Sequence, residues 1–157
     1  MPWSTDDVTR ARFFAQGPHC TVVEHRLNVL IDNAAMLALC DEYDLASVNR
    51  IPLLMGLLTG KFRDGVHLPD DDQRSLFFGA NGVADDIAQV EALRPILTRD
   101  GRTLPQGALG WIWARSPRTI PIPGFKTVAQ VEDNAGALRL GPLSPAQMAG
   151  IAALLGC

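Results

Sequence analysis

Apolar and polar positions follow two rhythms along this chain, and the changes of rhythm mark out its elements. Ser4-Thr5-Asp6-Asp7 offers side-chain oxygens for a helix N-cap, and VTRARFFAQ then reads as a helix that stops at Gly17-Pro18. CTVVEHRLNVLI opens on β-branched residues and reads as a strand. Asp32 or Asn33 caps a helix over AAMLALCDEYD, where Met36, Leu37 and Cys40 fall at helical spacing. LASVNRIPLLMGLL is a second apolar strand, and Pro52 suits its end because proline donates no ladder hydrogen bond. From Thr59 to about Ala84, glycine, aspartate and proline interrupt any period, which predicts a long surface loop. Helical spacing returns in DDIAQVEALRPILTR, with Pro95 placed to kink or split it. Thr103 with Gln106, Thr127 with Gln130 and Ser144 with Gln147 have capping-box spacing and predict three helix starts. RTIPIPG, just before the second of them, is a third short strand, and residues 1–4 suit the tail of a fourth.

Strands alternating with helices predict parallel βαβ units with right-handed crossovers, gathered in a single domain over residues 1–157. Composition supports this picture and narrows the function. Apolar residues make up 47% and charged residues 20%, as in a folded globular chain. A net charge of -3 speaks against a nucleic-acid partner, and no apolar run is long enough to span a membrane. MPWSTDD lacks the basic and apolar regions of a secretory signal, so a cytoplasmic protein is expected. Cys20, Cys40 and Cys157 are odd in number and widely spaced, which predicts reduced thiols rather than a disulfide framework or a zinc site. His19, His25 and His67 form no i, i+4 pair, and no metal site is expected.

In parallel α/β proteins, ligands bind at the carboxyl ends of the strands. After the second apolar strand come Gly56, Gly60 and Lys61, and after the third come Gly124, Phe125, Lys126 and Thr127 at a helix start. Free amides and the helix dipole favour an anion there. Taken alone, the Gly-Phe-Lys-Thr turn reads sooner as plain structure than as a phosphate site, and neither GxGxxG nor GxxxxGK[ST] occurs.

Taken together, these stretches resemble the aldo/keto reductase family. IPLLMGLLTGKF is similar to its SPLxxGLLTGK signature, and RTIPIPGFKTVAQVEDNAGAL to its last strand-helix segment, IPG(x)(K/R)(S/T)xxQxxEN. TLPQGALGWIWARSP resembles the preceding helix, usually TPAQLALAW, while WSTDD and VVEHRLNVL resemble the fifth and sixth barrel strands. The resemblance implies an α/β fold: a partial (β/α)8 TIM barrel of about three to four parallel βα units plus a C-terminal helix. It implies NADP(H) as cofactor and carbonyl reduction as the chemistry. It places Ser4 near the nicotinamide carboxamide and the backbone of Pro52, Leu53, Gly56 and Leu57 along the pyrophosphate. Gly124, Lys126 and Thr127 fall at the adenosine 2′-phosphate, and Gln130 and Asn134 beside the adenine.

Three positions depart from the pattern. Glu24 stands where the family has a glutamine, and a carboxylate donates no hydrogen bond to a carboxamide. Arg50 replaces the tyrosine that stacks on the nicotinamide, and Ile51 replaces the serine of SPL. A whole barrel needs about 250 residues, against 157 here, and the family's catalytic Asp, Tyr, Lys and His belong to strands before the matched region. No catalytic residue is therefore expected, and Tyr43 reads as structural. The expectation is a truncated reductase that keeps the cofactor-phosphate side, with a carbonyl substrate only in a complete barrel. The alternative is a non-catalytic half-barrel that binds a nucleotide phosphate or only oligomerises. In either case the open face predicts self-association or a missing N-terminal half as partner, and no nucleic acid or membrane.

Overall fold

The computed structural model describes residues 2–62 and 83–156. His67, Cys157 and most of the expected 59–84 loop lie outside the described residues. Four strands form one sheet in chain order, each parallel to the next: β1 (Pro2–Ser4), β2 (Val22–Arg26), β3 (Ala46–Arg50) and β4 (Thr119–Pro121). The helices are α1 (Val8–Ala15), α2 (Ala34–Glu42), α3 (Val83–Leu97), α4 (Leu104–Arg115), α5 (Val128–Leu140) and α6 (Pro145–Leu155). This is a partial (β/α)8 barrel: four parallel strands with their helices, and a helix at the end.

The strands are shorter than the apolar runs that announce them. β2 ends at Arg26 because the Asn28 side chain takes up the amides of Leu30 and Ile31, each at 3.0 Å, and folds the chain into a tight turn. β3 ends at Arg50 rather than running on to Leu58. Ile51 turns left-handed at φ 49, and Leu54–Thr59 winds into 3-10 turns. Pro95 sits in the last turn of α3, which continues through it to Leu97.

Helix starts follow their capping residues. Asp7 accepts from the amides of Thr9 and Arg10, and Asn33, rather than Asp32, accepts from Met36. Thr103 with Gln106 and Ser144 with Gln147 form reciprocal capping boxes on α4 and α6. The third box is half made. Thr127 Oγ1 accepts from the Gln130 amide at 3.3 Å, but the Gln130 side chain reaches past Thr127 to the Lys126 N–H at 2.6 Å. The end of α5 is closed by Arg102, which donates to the carbonyls of Leu140 at 2.7 Å and Gly141 at 2.9 Å. A cation placed there also suits the dipole.

Burial alternates along β2 and β3, so one face of the sheet is covered and the other open. The covered face carries Val23, His25, Ser47 and Asn49. Under it lie a smaller core of Ala11, Met36, Leu39, Cys40 and Leu45, and a larger one that α3, α4 and α6 share. The open face carries Val22, Glu24, Arg26, Ala46, Val48 and Arg50, with Ile120 beside them on β4. It is apolar at the amino ends and charged at the carboxyl ends.

Candidate cofactor site

Because every strand runs the same way, the carboxyl ends of β1 to β4 share one rim. Register then decides which side chains meet there. Ser4 lies opposite Glu24, and Arg26 opposite Arg50. Ser4 Oγ donates to Glu24 Oε1 at 3.5 Å, and Arg50 Nε approaches the same oxygen at 4.0 Å. Asp6, just beyond β1, joins the cluster from above. Its carboxylate accepts from the Arg26 amide and Nε, both at 2.7 Å, and from an Arg50 terminal nitrogen at 2.6 Å. Burial pushes the Asp6 pKa up, but the Arg26 amide and the two guanidiniums outweigh it and hold the carboxyl below its usual range.

The fit at this end of the rim is poor for a nicotinamide ring. A carboxamide needs an N–H donor and an acceptor, but Glu24 only accepts and the Ser4 hydroxyl already points to it. Arg50 is drawn sideways to Asp6 instead of lying free to stack. Nothing here supports a hydride-transfer geometry.

The next stretch of rim is backbone. Asn28 Nδ2 donates to the Ile51 carbonyl at 3.1 Å and so ties the end of β2 to the start of the loop after β3. In that loop Leu54, Met55 and Gly56 follow one another at φ 43, 52 and 96. Left-handed non-glycine residues are strained by about 1–3 kcal/mol each and cluster at functional sites. Pro52, Leu53 and Leu57 are buried, so only their backbone is available to a ligand. Gly56 has room for a Cβ, whose nearest neighbour is Phe62 at 3.6 Å, so its positive φ is what calls for glycine.

At the far end of the rim, Gly124, Lys126 and Thr127 are exposed where α5 begins. Among the described residues Lys126 has no ion-pair partner, and Thr127 uses an oxygen lone pair as N-cap, which leaves its hydroxyl hydrogen to donate. Gly124 meets nothing within 4 Å of a built Cβ. Gln130 faces back over this turn, and Asn134 lies one turn further along α5. Asn134 lines a cleft of about 550 Å³ between α4, β4 and α5, with Trp113, Ile122, Phe125, Val131 and Leu138. Residues 4, 24 and 50 thus converge, as do 124, 126, 127 and 130. Asp6, Arg26 and Asn28 are the site residues that sequence reasoning missed.

Tyr43 is placed away from all of this. It ends α2, at the opposite rim, where its hydroxyl accepts from Arg12 at 3.3 Å. His25 lies beneath the sheet, with Nδ1 donating to the Arg26 carbonyl at 3.1 Å and Nε2 accepting from Ser47 at 2.8 Å, and neither nitrogen reaches the rim. Among the described residues there is no cluster of metal ligands, and no helix is long and apolar enough to cross a membrane.

A rim of parallel strand ends, with a strained loop after one strand and a cationic helix start after the next, defines a segment of a parallel α/β barrel. The sequence model described as "Aldo/keto reductase family" matches residues 4–155, and the chain belongs to that family. Pyridoxal reductase, chloroplastic, of Arabidopsis thaliana is 37% identical over 101 residues, which is 64% of this chain and 26% of that protein. Aldo-keto reductase yakc [NADP(+)] of Schizosaccharomyces pombe is 29% identical over 103 residues, 64% of this chain and 30% of that one. Among solved structures, an aldo-keto reductase of Bacillus halodurans in its holo form superposes with a TM-score of 0.69 at 21% identity. That match covers 96% of this chain and 48% of the other, so this chain spans about half of a known barrel.

Proposed function

We propose that this chain is the cofactor-phosphate half of an NADP-dependent aldo/keto reductase. Lys126 and the Thr127 hydroxyl bind the adenosine 2′-phosphate, Gly124 lets it approach, and the α5 amides add a favourable dipole. The backbone of Pro52, Leu53, Gly56 and Leu57 lines the pyrophosphate, and Gln130 and Asn134 flank the adenine. When bound in a whole barrel, the cofactor supplies a hydride to a carbonyl substrate. The observation that carries the reading is Lys126, exposed beside the N-cap of α5 and without an ion-pair partner among the described residues, on the same rim as the strained loop after β3. The name of the Schizosaccharomyces pombe relative, which includes NADP(+), supports the choice of the phosphorylated cofactor.

A second reading has its own observation. With Glu24 and Arg50 held in ion pairs at the nicotinamide end, the chain by itself is a phosphate-binding half-barrel without turnover. Titration calorimetry with NADPH and NADH, on wild type and Lys126→Ala, tests the assignment. NADPH should bind about tenfold tighter than NADH, and the substitution should erase that difference, since a charged hydrogen bond contributes about 1.5–3 kcal/mol. Equal affinities in the wild type would overturn the phosphate assignment. Turnover of a carbonyl substrate by the isolated chain would overturn the second reading.

A further inference from the structure

Asn28 sits just past the end of β2, wholly buried between the core residues Leu27 and Val29. Both ends of its carboxamide are used. Oδ1 accepts from the amides of Leu30 and Ile31, each at 3.0 Å, and Nδ2 donates to the Ile51 carbonyl at 3.1 Å. The Asn28 backbone exchanges bonds with Ile31 at 3.0 and 2.9 Å, so the side chain stands on a fixed turn. The Ile51 carbonyl also accepts from the Leu54 amide at 2.9 Å.

Isoleucine is an unfavourable residue at that point. Ile51 has φ 49, and β-branched side chains are strained in the left-handed region. Leu54 and Met55 repeat the strain a few residues on. Such conformations persist only where the surroundings over-determine them, and they gather where ligands are held. The rest of the loop closes on itself. The Leu53 carbonyl accepts from Gly56 and Leu58 at 3.0 and 3.2 Å, and the Thr59 hydroxyl donates to the Gly56 carbonyl at 2.6 Å. The bond from Asn28 differs in kind, because it comes from another strand end and fixes where the closed loop sits on the rim.

We infer that Asn28 is a positioning residue for the cofactor: it holds Ile51 left-handed and thereby sets the loop backbone against the pyrophosphate. This deepens the NADP reading and rests on it. A pyrophosphate is held by N–H groups aimed at it, and a loop that shifts on the rim loses that aim.

Asn28→Ser tests the inference by titration calorimetry on the whole chain. The serine hydroxyl can still accept from the turn amides but is too short to reach Ile51. NADPH and NADH should each bind about tenfold more weakly, the loss of about one charge-assisted hydrogen bond, with the ratio between them unchanged. Adenosine 2′-monophosphate, which has no pyrophosphate, should bind as it does to wild type. Asn28→Asp is a second variant. It keeps the shape and both accepted bonds but turns an acceptor toward the Ile51 carbonyl, and it should lose at least as much. Adding Ile51→Gly to Asn28→Ser should restore most of the affinity, because glycine takes up a positive φ without strain. The same change removes isoleucine packing and should lower the melting temperature further. A residue with a merely structural role would not let affinity recover while stability falls. Wild-type affinity for NADPH in both single variants would overturn the inference. An equal loss for adenosine 2′-monophosphate would do so too, as would a double variant that binds no better than Asn28→Ser. Equal wild-type affinities for NADPH and NADH would instead remove the 2′-phosphate assignment and leave this inference standing, since the Asn28 effect is read on NADH as well.

Discussion

His25 shows how a single side chain ties the sheet to pH. It is wholly buried between Ser47 and its neighbour's carbonyl, and Asn49 donates to the same serine oxygen at 2.9 Å. Burial lowers its pKa from the ordinary 6.5, against the hydrogen bond to the Arg26 carbonyl and the charges of Asp6 and Asp32, with Arg50 adding to the lowering. Between that lowered value and 6.5 the unfolded chain binds a proton that the folded chain refuses, so stability must fall as pH drops through this window. Melting temperatures at about pH 7.5 and about pH 5 should therefore diverge in wild type and converge in His25→Asn. Asp6 acts lower on the scale. Its folded pKa is depressed, so its contribution is present above 3.8 and lost as pH falls through the folded value. Cys40, whose thiol burial pushes up to about 11, has no such role near neutrality. Sequence reading reached Ser4, Glu24 and Arg50 through family motifs but passed over Asp6 and Arg26. Asp6 pairs with residues 20 and 44 positions away, and that meeting exists only once the strand register is set. Asn28 left a fainter trace, a lone amide inside the apolar run RLNVL.

Among the elements, helix starts were the most legible, because a cap is local chemistry written within about four residues. Strand ends were the least legible. LASVNRIPLLMGLL reads as one run because both a strand and the buried turn after it put residues into the core, and hydropathy does not separate the two. Contact between helices is also hidden from periodicity. Gly107 on α4 lies so close to α3 that a Cβ would come within 2.1 Å of the Leu97 carbonyl oxygen and 2.7 Å of its carbon. Both obstacles are backbone, so no rotamer change relieves them. Gly107→Ala should lower stability by about 3 kcal/mol or more, read from chemical denaturation. Gly124→Ala, with open space around its Cβ, should leave the denaturation midpoint unchanged and alter only cofactor affinity.

At the scale of the molecule, the described residues form four units laid side by side, and each strand's neighbour in the sheet is the strand before or after it in the chain. This arrangement made the parallel βαβ units readable from alternation, whereas the barrel was reached only through the family resemblance. The same order has a kinetic consequence. A strand leaving the ribosome meets its pairing partner already made, so the sheet can grow one unit at a time with short loop closures. The last helix works differently. α6 reaches back past two helices to α3, where Gln147 donates to the Ile96 carbonyl at 3.2 Å across 51 residues of chain. Pulse-labelled hydrogen exchange during refolding should find β2 and β3 protected before α6. The chain would then assemble like a zipper fastened at its end by a clasp, and translation would lay down its teeth in the order they mesh.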